Sequence, residues 1–152
     1  MNRLIIIICL IGFIACKGDN QPKTSEKTQP AQTAKISENG VGPVSELTLP
    51  DGIDQEMVSR GKEIFDAKCS ACHKTNKRYI GPDPTGILER RTPAWVMNMI
   101  LNPDGMVKED PVAKQLLMEY NGTPMANQNL TEDEARAILE YFRTLKPEQN
   151  EN

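Results

Sequence analysis

The stretch "KCSACHKTNKRYIGP", residues 68–82, decides how this chain is read. Cys69 and Cys72 stand three apart, and the residue that follows, His73, is the only histidine among 152 residues. Cysteines at this spacing serve as a redox dithiol, as half of a zinc site, or as the attachment point of a haem. Zinc takes four ligands, typically from two separated Cys or His pairs, and no second pair is present. The other two cysteines, Cys9 and Cys16, lie in an N-terminal segment of a different kind. A thioredoxin-like dithiol normally ends a strand within a βαβ unit, whereas the flanks of this pair read as helix.

The haem reading accounts for more residues. C-x-x-C-H is the attachment signature of a c-type haem. Thiols so spaced on a helical turn can each add across one vinyl group of the porphyrin, and the adjacent imidazole then meets the iron. Dithiol exchange has no use for a histidine at that place. A single histidine also excludes bis-histidine ligation within one chain, so the sixth ligand is a methionine, another side chain, or nothing. Of the seven methionines, Met97, Met99 and Met118 fall in helical patterns, where methionine usually serves packing. Met106, after Asp104-Gly105, is expected in a loop and remains a rival. Met125 lies in "NGTPMANQNLT", a Gly- and Pro-bearing loop 52 residues beyond His73, and is the expected distal ligand.

Outward from the clamp, the chain divides into four parts. "MNRLIIIICLIGFIAC" has a basic start at Arg3 and an eleven-residue apolar run from Leu4 to Ile14. A membrane-spanning helix needs about 20 such residues, so residues 1–15 read as a signal peptide. Phe13-Ile14-Ala15-Cys16 resembles a bacterial lipobox, which makes Cys16 the expected lipidation site and first mature residue. Residues 16–50 read as that cysteine and a flexible tether, rich in Lys, Thr, Gln, Pro and Ser and without aromatics. As a coil the tether spans on the order of 30 Å. Residues 51–147 form the expected domain and 148–152 a disordered tail.

Helical signals fill that domain. Asp54 can cap a helix reaching to about Ala67. Thr92-Pro93 and Asp110-Pro111 each place an N-cap before a proline at the first helical position. Asn121-Gly122 marks a C-terminal stop. "TEDEARAILEYFRTL" opens on a capping box, Thr131 to Glu134, and carries Ala135, Ile138, Leu139, Phe142 and Leu145 at helical period. No alternating strand segment and no internal repeat is visible, so the fold class is all-α. Aromatic residues make up only 5% of the chain, and a bulky apolar cofactor would fill out a core otherwise thin.

Together, "RGKEIFDAKCSACH", the Gly-Pro after the clamp, the loop methionine and the final "LTEDEARAILEYFRTL" helix resemble the small monohaem class I cytochromes c, over roughly residues 55–146. The resemblance implies four to five helices wrapped around one covalent haem c. It implies thioethers from Cys69 and Cys72, His73 as proximal ligand and Met125 as distal ligand. It also implies that the Pro82 carbonyl accepts from the second ring nitrogen of His73. Gly61 and Tyr141-Phe142 would mark the crossing of the first and last helices. Arg90, Arg91 or Trp95 would reach a haem propionate, as in some relatives.

The function so implied is electron carriage, not enzymatic turnover, by a lipid-anchored domain in the periplasm. By analogy the donor is a quinol–cytochrome c oxidoreductase, and the acceptor is a terminal reductase or oxidase, with a nitrous-oxide reductase as the specific candidate. The net charge of -3 argues against a nucleic-acid partner. Residues 60–91 nonetheless hold eight Lys or Arg against four acids, and Lys68, Lys74, Lys77 and Arg78 would attract an acidic protein. The rival class is a haem enzyme or a gas or redox sensor with an open distal site.

Overall fold

A computed structural model describes residues 38–147. The expected signal peptide, Cys16, most of the tether and the 148–152 tail lie outside the described residues. The helices are α1 (Gln55–Lys68), α2 (Pro93–Leu101), α3 (Pro103–Glu109), α4 (Pro111–Glu119) and α5 (Glu132–Thr144), with a 3-10 turn at Ile87–Glu89. Among the described residues the only β pairing is an isolated bridge between Lys74 and Lys77. The class is all-α, as the sequence indicates.

The middle of the chain is three short helices cut from one run by proline. Thr92, Asn102 and Asp110 each cap the helix that follows, accepting from the backbone N–H of Trp95, Gly105 and Ala113. Each cap precedes a proline at the first helical turn. A residue before proline is pushed out of the α region, so the helix behind it must stop there. Asn102 therefore ends α2 and begins α3, and Asp110 ends α3 and begins α4.

That device corrects one expectation. Met106 is not in a loop; it sits within α3 and is fully buried. Gly105 reads as a helix breaker in sequence, but the Asn102-Pro103 start outweighs a glycine cost of about 1 kcal/mol. The Met106 sulfur accepts the backbone N–H of Val41 at 3.0 Å.

The second correction concerns the tether's end. Residues 38–50 are packed on the domain, with Val41, Val44, Leu47 and Leu49 against the core. The buried side chain of Asn98 holds this strap from both ends of its amide. Its Nδ2 donates to the carbonyls of Asn39 and Val44 at 2.8 Å each, and its Oδ1 accepts from Val44 N–H at 3.0 Å. Asn102 adds a bond to the Val41 carbonyl. The four apolar residues, 3, 3 and 2 apart, hold neither a helix nor a strand period, and the amide that binds the strap lies more than 50 residues downstream.

The central contact is the crossing of α1 and α5. At Gly61 a Cβ would stand 1.9 Å from the Ala137 carbonyl oxygen, so only glycine permits this approach. One turn on, Phe65 packs against Tyr141 and Phe142 with ring centroids 5.6 and 5.7 Å apart. The other end of the crossing is polar. Glu140, fully buried on α5, accepts the Asp54 N–H at 3.0 Å and pairs with Arg136 at 2.6 Å and Arg143 at 2.7 Å. Arg143 continues to the Pro50 and Gly52 carbonyls.

Burial opposes ionisation of Glu140, but the Asp54 N–H and the two guanidiniums outweigh it and hold the carboxyl below its ordinary 4.5. A depressed native pKa adds stability that is complete above the unfolded value and is lost as pH falls through the native one. Thermal melts of the parent and Glu140→Gln should therefore converge on acidification. At pH 7 the variant should melt several degrees lower, because two guanidiniums lose their countercharge. A melting-point gap that stays constant from pH 7 to pH 3 would show that Glu140 is not ionised in the native state.

Candidate haem site

The site is launched from the end of α1. Cys69 caps that helix, its N–H bonding Phe65 O at 2.8 Å, and Ser70 shares the same carbonyl at 2.9 Å. The chain then turns once more, with Cys72 N–H and His73 N–H both on Cys69 O, at 3.0 and 2.9 Å. The two thiols and the imidazole thus leave a single turn whose position is set by the α1–α5 crossing. Cys69 is half-buried, Cys72 is exposed, and neither is in a disulfide.

Burial pushes the Cys69 thiol above its ordinary 9.0, with a neighbouring Lys68 opposing. The attacking thiol of a redox dithiol needs the opposite shift, toward the thiolate. Cys69 is therefore poorly set to be the attacking thiol of a disulfide exchange. Addition of S–H across an activated alkene remains open to it.

His73 is held from two directions. Its Nδ1 lies 2.8 Å from the Pro82 carbonyl oxygen. A carbonyl can only accept, so Nδ1 carries a proton, and in the neutral ring this tautomer leaves the lone pair on Nε2, as a metal ligand requires. Gly81 brings this carbonyl into reach. Its N–H bonds Cys72 O at 2.8 Å, and a Cβ there would stand 2.5 Å from Cε1 of the imidazole. Beyond, the turn is built from polar groups where a glycine-rich run is absent. Asn76, at φ 60°, donates its N–H to Asp83 Oδ1 and Thr85 Oγ1. Arg90 binds the Thr85 and Asp83 carbonyls.

The methionines sort by setting. Met97 and Met106 are buried in helices, Met99 and Met57 are partly buried on α2 and α1, and Met118 is 76% exposed on α4. Met106, the rival for the distal position, has its sulfur occupied by Val41 N–H inside the core. Met125 lies in the irregular segment between α4 and α5 and is half-buried.

A further polar group points to a missing acceptor. Trp95 is 4% exposed, and its indole Nε1–H has no hydrogen-bond partner among the described residues. The Trp95 ring lies 5.3 Å from the Arg91 guanidinium and, with Arg90, Arg91 and Leu88, borders a cavity of about 600 Å³. A buried donor without an acceptor costs about 1–3 kcal/mol, which a carboxylate placed there would recover.

Residues 58–146 match the family described as Cytochrome c. The chain belongs to that family. Cytochrome c of Rhodothermus marinus is 42% identical, with a TM-score of 0.68 over 72% of this chain and 94% of that one. An engineered form of it, bound to a carbene intermediate, matches at TM-score 0.66 and 42% identity over 72% of this chain and 95% of that one. Photosystem II extrinsic protein V of Synechococcus sp. (strain JA-3-3Ab) is 26% identical over 93% of this chain and 77% of its own length. As a member of this family the chain is a haem electron carrier with one covalent haem c. Domains of the family are typically extracytoplasmic, and no described helix is long and apolar enough to cross a membrane.

The residues present fit the group. Two protonable thiols on one turn, an imidazole with its lone pair free and an orphaned indole N–H are what a porphyrin with vinyl, iron and propionate groups would engage. Gly81→Ala is the sharpest test of this packing. Its methyl group must displace the imidazole, so the variant should lose roughly 1–3 kcal/mol of holo-protein stability in guanidinium melts. The ferric spectrum should shift toward high spin. An unchanged spectrum and melt would mean that the imidazole is free to move aside.

Proposed function

We propose that the chain is a single-electron carrier in which Cys69 and Cys72 would hold the haem by thioethers and His73 and Met125 would ligate its iron. The observation that carries this reading is the His73–Pro82 bond, which leaves Nε2 as a lone-pair donor one residue after the thiol pair. When bound, the haem supplies a one-electron iron couple. Thioethers from residues on a single turn keep the group in register with the imidazole. Pro82 holds the ring plane and raises the basicity of Nε2. Met125 would supply the second iron ligand, which would exclude exogenous ligands and favour electron transfer over substrate chemistry. Trp95 and Arg91 offer a donor and a positive charge to a propionate.

The wider setting is drawn from the N-terminal sequence and the resemblance. Cys16 carries lipid, the haem domain stands in the periplasm, and a quinol–cytochrome c oxidoreductase supplies the electron. A terminal reductase or oxidase takes it, with a nitrous-oxide reductase as candidate. Lys68 and Lys77 are exposed and would meet an acidic acceptor. Lys74 is partly drawn inward, over the Tyr79 ring at 5.5 Å and onto the Ser70 carbonyl.

The visible spectrum of the oxidised protein, beside Met125→Leu, tests the ligand set. The parent should show c-type bands and a weak long-wavelength sulfur-to-iron band, and the variant should lose only the latter. A parent without that band would remove Met125 from the iron and favour an enzyme or sensor with an open distal site.

A further inference from the structure

Arg78 follows His73 by five residues, in the loop bridged by Lys74 and Lys77 and tied to the clamp through Gly81. Its side chain leaves that loop. The guanidinium lies 4.0 Å from the Tyr120 ring centroid, and Nη2 donates to the Glu119 carbonyl. Glu119 is the last residue of α4 and Tyr120 its C-cap. Carbonyls at a helix C-terminus lack intrahelical partners and carry the negative end of the dipole, so a cation there is doubly placed.

The backbone makes this contact consequential. Just after Tyr120 the chain turns through Asn121 and Gly122, at φ 58° and 71°, with Gly122 N–H returning to Leu117 O at 2.8 Å. Thr123 N–H bonds Tyr120 O at 3.1 Å, and Met125 is two residues on. The far side of this loop has a weaker hold. Asn127 reaches Leu101 O at 3.5 Å, while Asn129 N–H on Asn127 Oδ1 and Gln128 on Ala126 O are local. Arg78 thus joins the loop bearing the proximal histidine to the origin of the loop bearing the distal methionine.

We infer that Arg78 is a positioning residue for the distal ligand. Its stack on Tyr120 and its bond to the α4 terminus hold the start of the Met125 loop, and so set how readily Met125 leaves the iron. This rests on Met125 being the ligand. The contact is exposed and outside the core, so its loss favours loop opening and leaves the clamp intact. A cation–π contact plus a charged hydrogen bond at an exposed site amounts to about a tenfold change in the open fraction.

The experiment compares haem-loaded parent, Arg78→Ala, Arg78→Lys and Tyr120→Leu. Two readouts are taken: the pH at which the ferric protein loses its sulfur-to-iron band, and the rate of carbon monoxide binding to the ferrous protein. For Arg78→Ala the band should be present at neutral pH but vanish about one pH unit earlier than in the parent, since tenfold easier opening moves a one-proton displacement by one unit. Carbon monoxide should bind roughly tenfold faster in the same variant. Tyr120→Leu should shift both readouts in the same direction. Arg78→Lys keeps the charge but loses the planar fork, so it should fall between parent and alanine.

Variants within twofold of the parent in both readouts, or altered only in melting temperature, would overturn the role. A lysine variant equal to the parent would reduce it to charge alone and overturn the positional claim. Should Arg78→Ala fail to take up haem, the lysine and Tyr120→Leu variants decide by the same criteria. A parent without the band, or Met125→Leu that keeps it, would show before any Arg78 variant is made that the ligand assignment itself is wrong, and the role would fall with it.

Discussion

The approach of α1 to α5 at Gly61 is the constraint from which the rest follows. With the Ala137 carbonyl where a Cβ would be, the two backbones are in contact and neither helix can slide without a clash. Phe65, Tyr141 and Phe142 fill the next turn toward the clamp, and Asp54 with Glu140 fastens the opposite end. The end of α1 is thereby fixed in space. Cys69 is that end, so the thiols and imidazole inherit the position of a helix anchored on a close-packed crossing. A covalent cofactor needs this arrangement, because two bonds and a metal ligand must close on one rigid group at once.

Much of this was legible in sequence because it is locally encoded. Caps at Asp54, Thr92, Asp110 and Thr131 need only a side-chain oxygen within three residues of its target N–H, and each is where that rule puts it. The clamp is legible for the same reason, since five consecutive residues contain its whole chemistry. Gly61 was readable only through the resemblance, as nothing nearby distinguishes a crossing glycine from an ordinary one. The strap is the missed element whose cause is distant. The strap at 38–50 looks like tether because its own residues carry no period; what orders it is Asn98, an amide from α2 that reads the strap's backbone. Met106 reads as loop in sequence because Asp104-Gly105 is a turn signal, whereas the Asn102-Pro103 start just before it makes α3. The same Cap-Pro device appears twice more in the chain, and that signal would have found α3.

The strap also changes the meaning of Met106. Its sulfur accepts a backbone N–H inside the core, so a donor that would otherwise be buried unpaired is met by a soft, weak acceptor. The thioether serves there as a structural group and is removed from competition for the metal. Asn98 and Met106 together convert the last residues before α1 into part of the domain. Residues 38–50 therefore belong with the domain and not with the tether that composition suggests.

The two faces of the site are held by unlike means. On the proximal side, His73 is constrained by its own backbone turn, by the Pro82 carbonyl and by the absence of a side chain at Gly81. All three lie within nine residues, so loosening one leaves the imidazole confined by the others. Met125, the proposed distal ligand, sits in a loop between α4 and α5 whose ends are fixed but whose middle is not helical. In that role its hold on a metal would depend on how firmly those ends are kept. One end is the capping box of α5, a strong local stop. The other is the left-handed turn after α4, where Arg78 arrives from the proximal loop. Read by composition, Arg78 belongs to a basic docking patch with Lys68, Lys74 and Lys77. Its guanidinium is instead engaged inside the molecule, and Lys74 is partly so. Both side chains keep their charge, but their positions are set by contacts within the chain, and in the proposed ligand set the two faces of the site would be coupled through one exposed side chain.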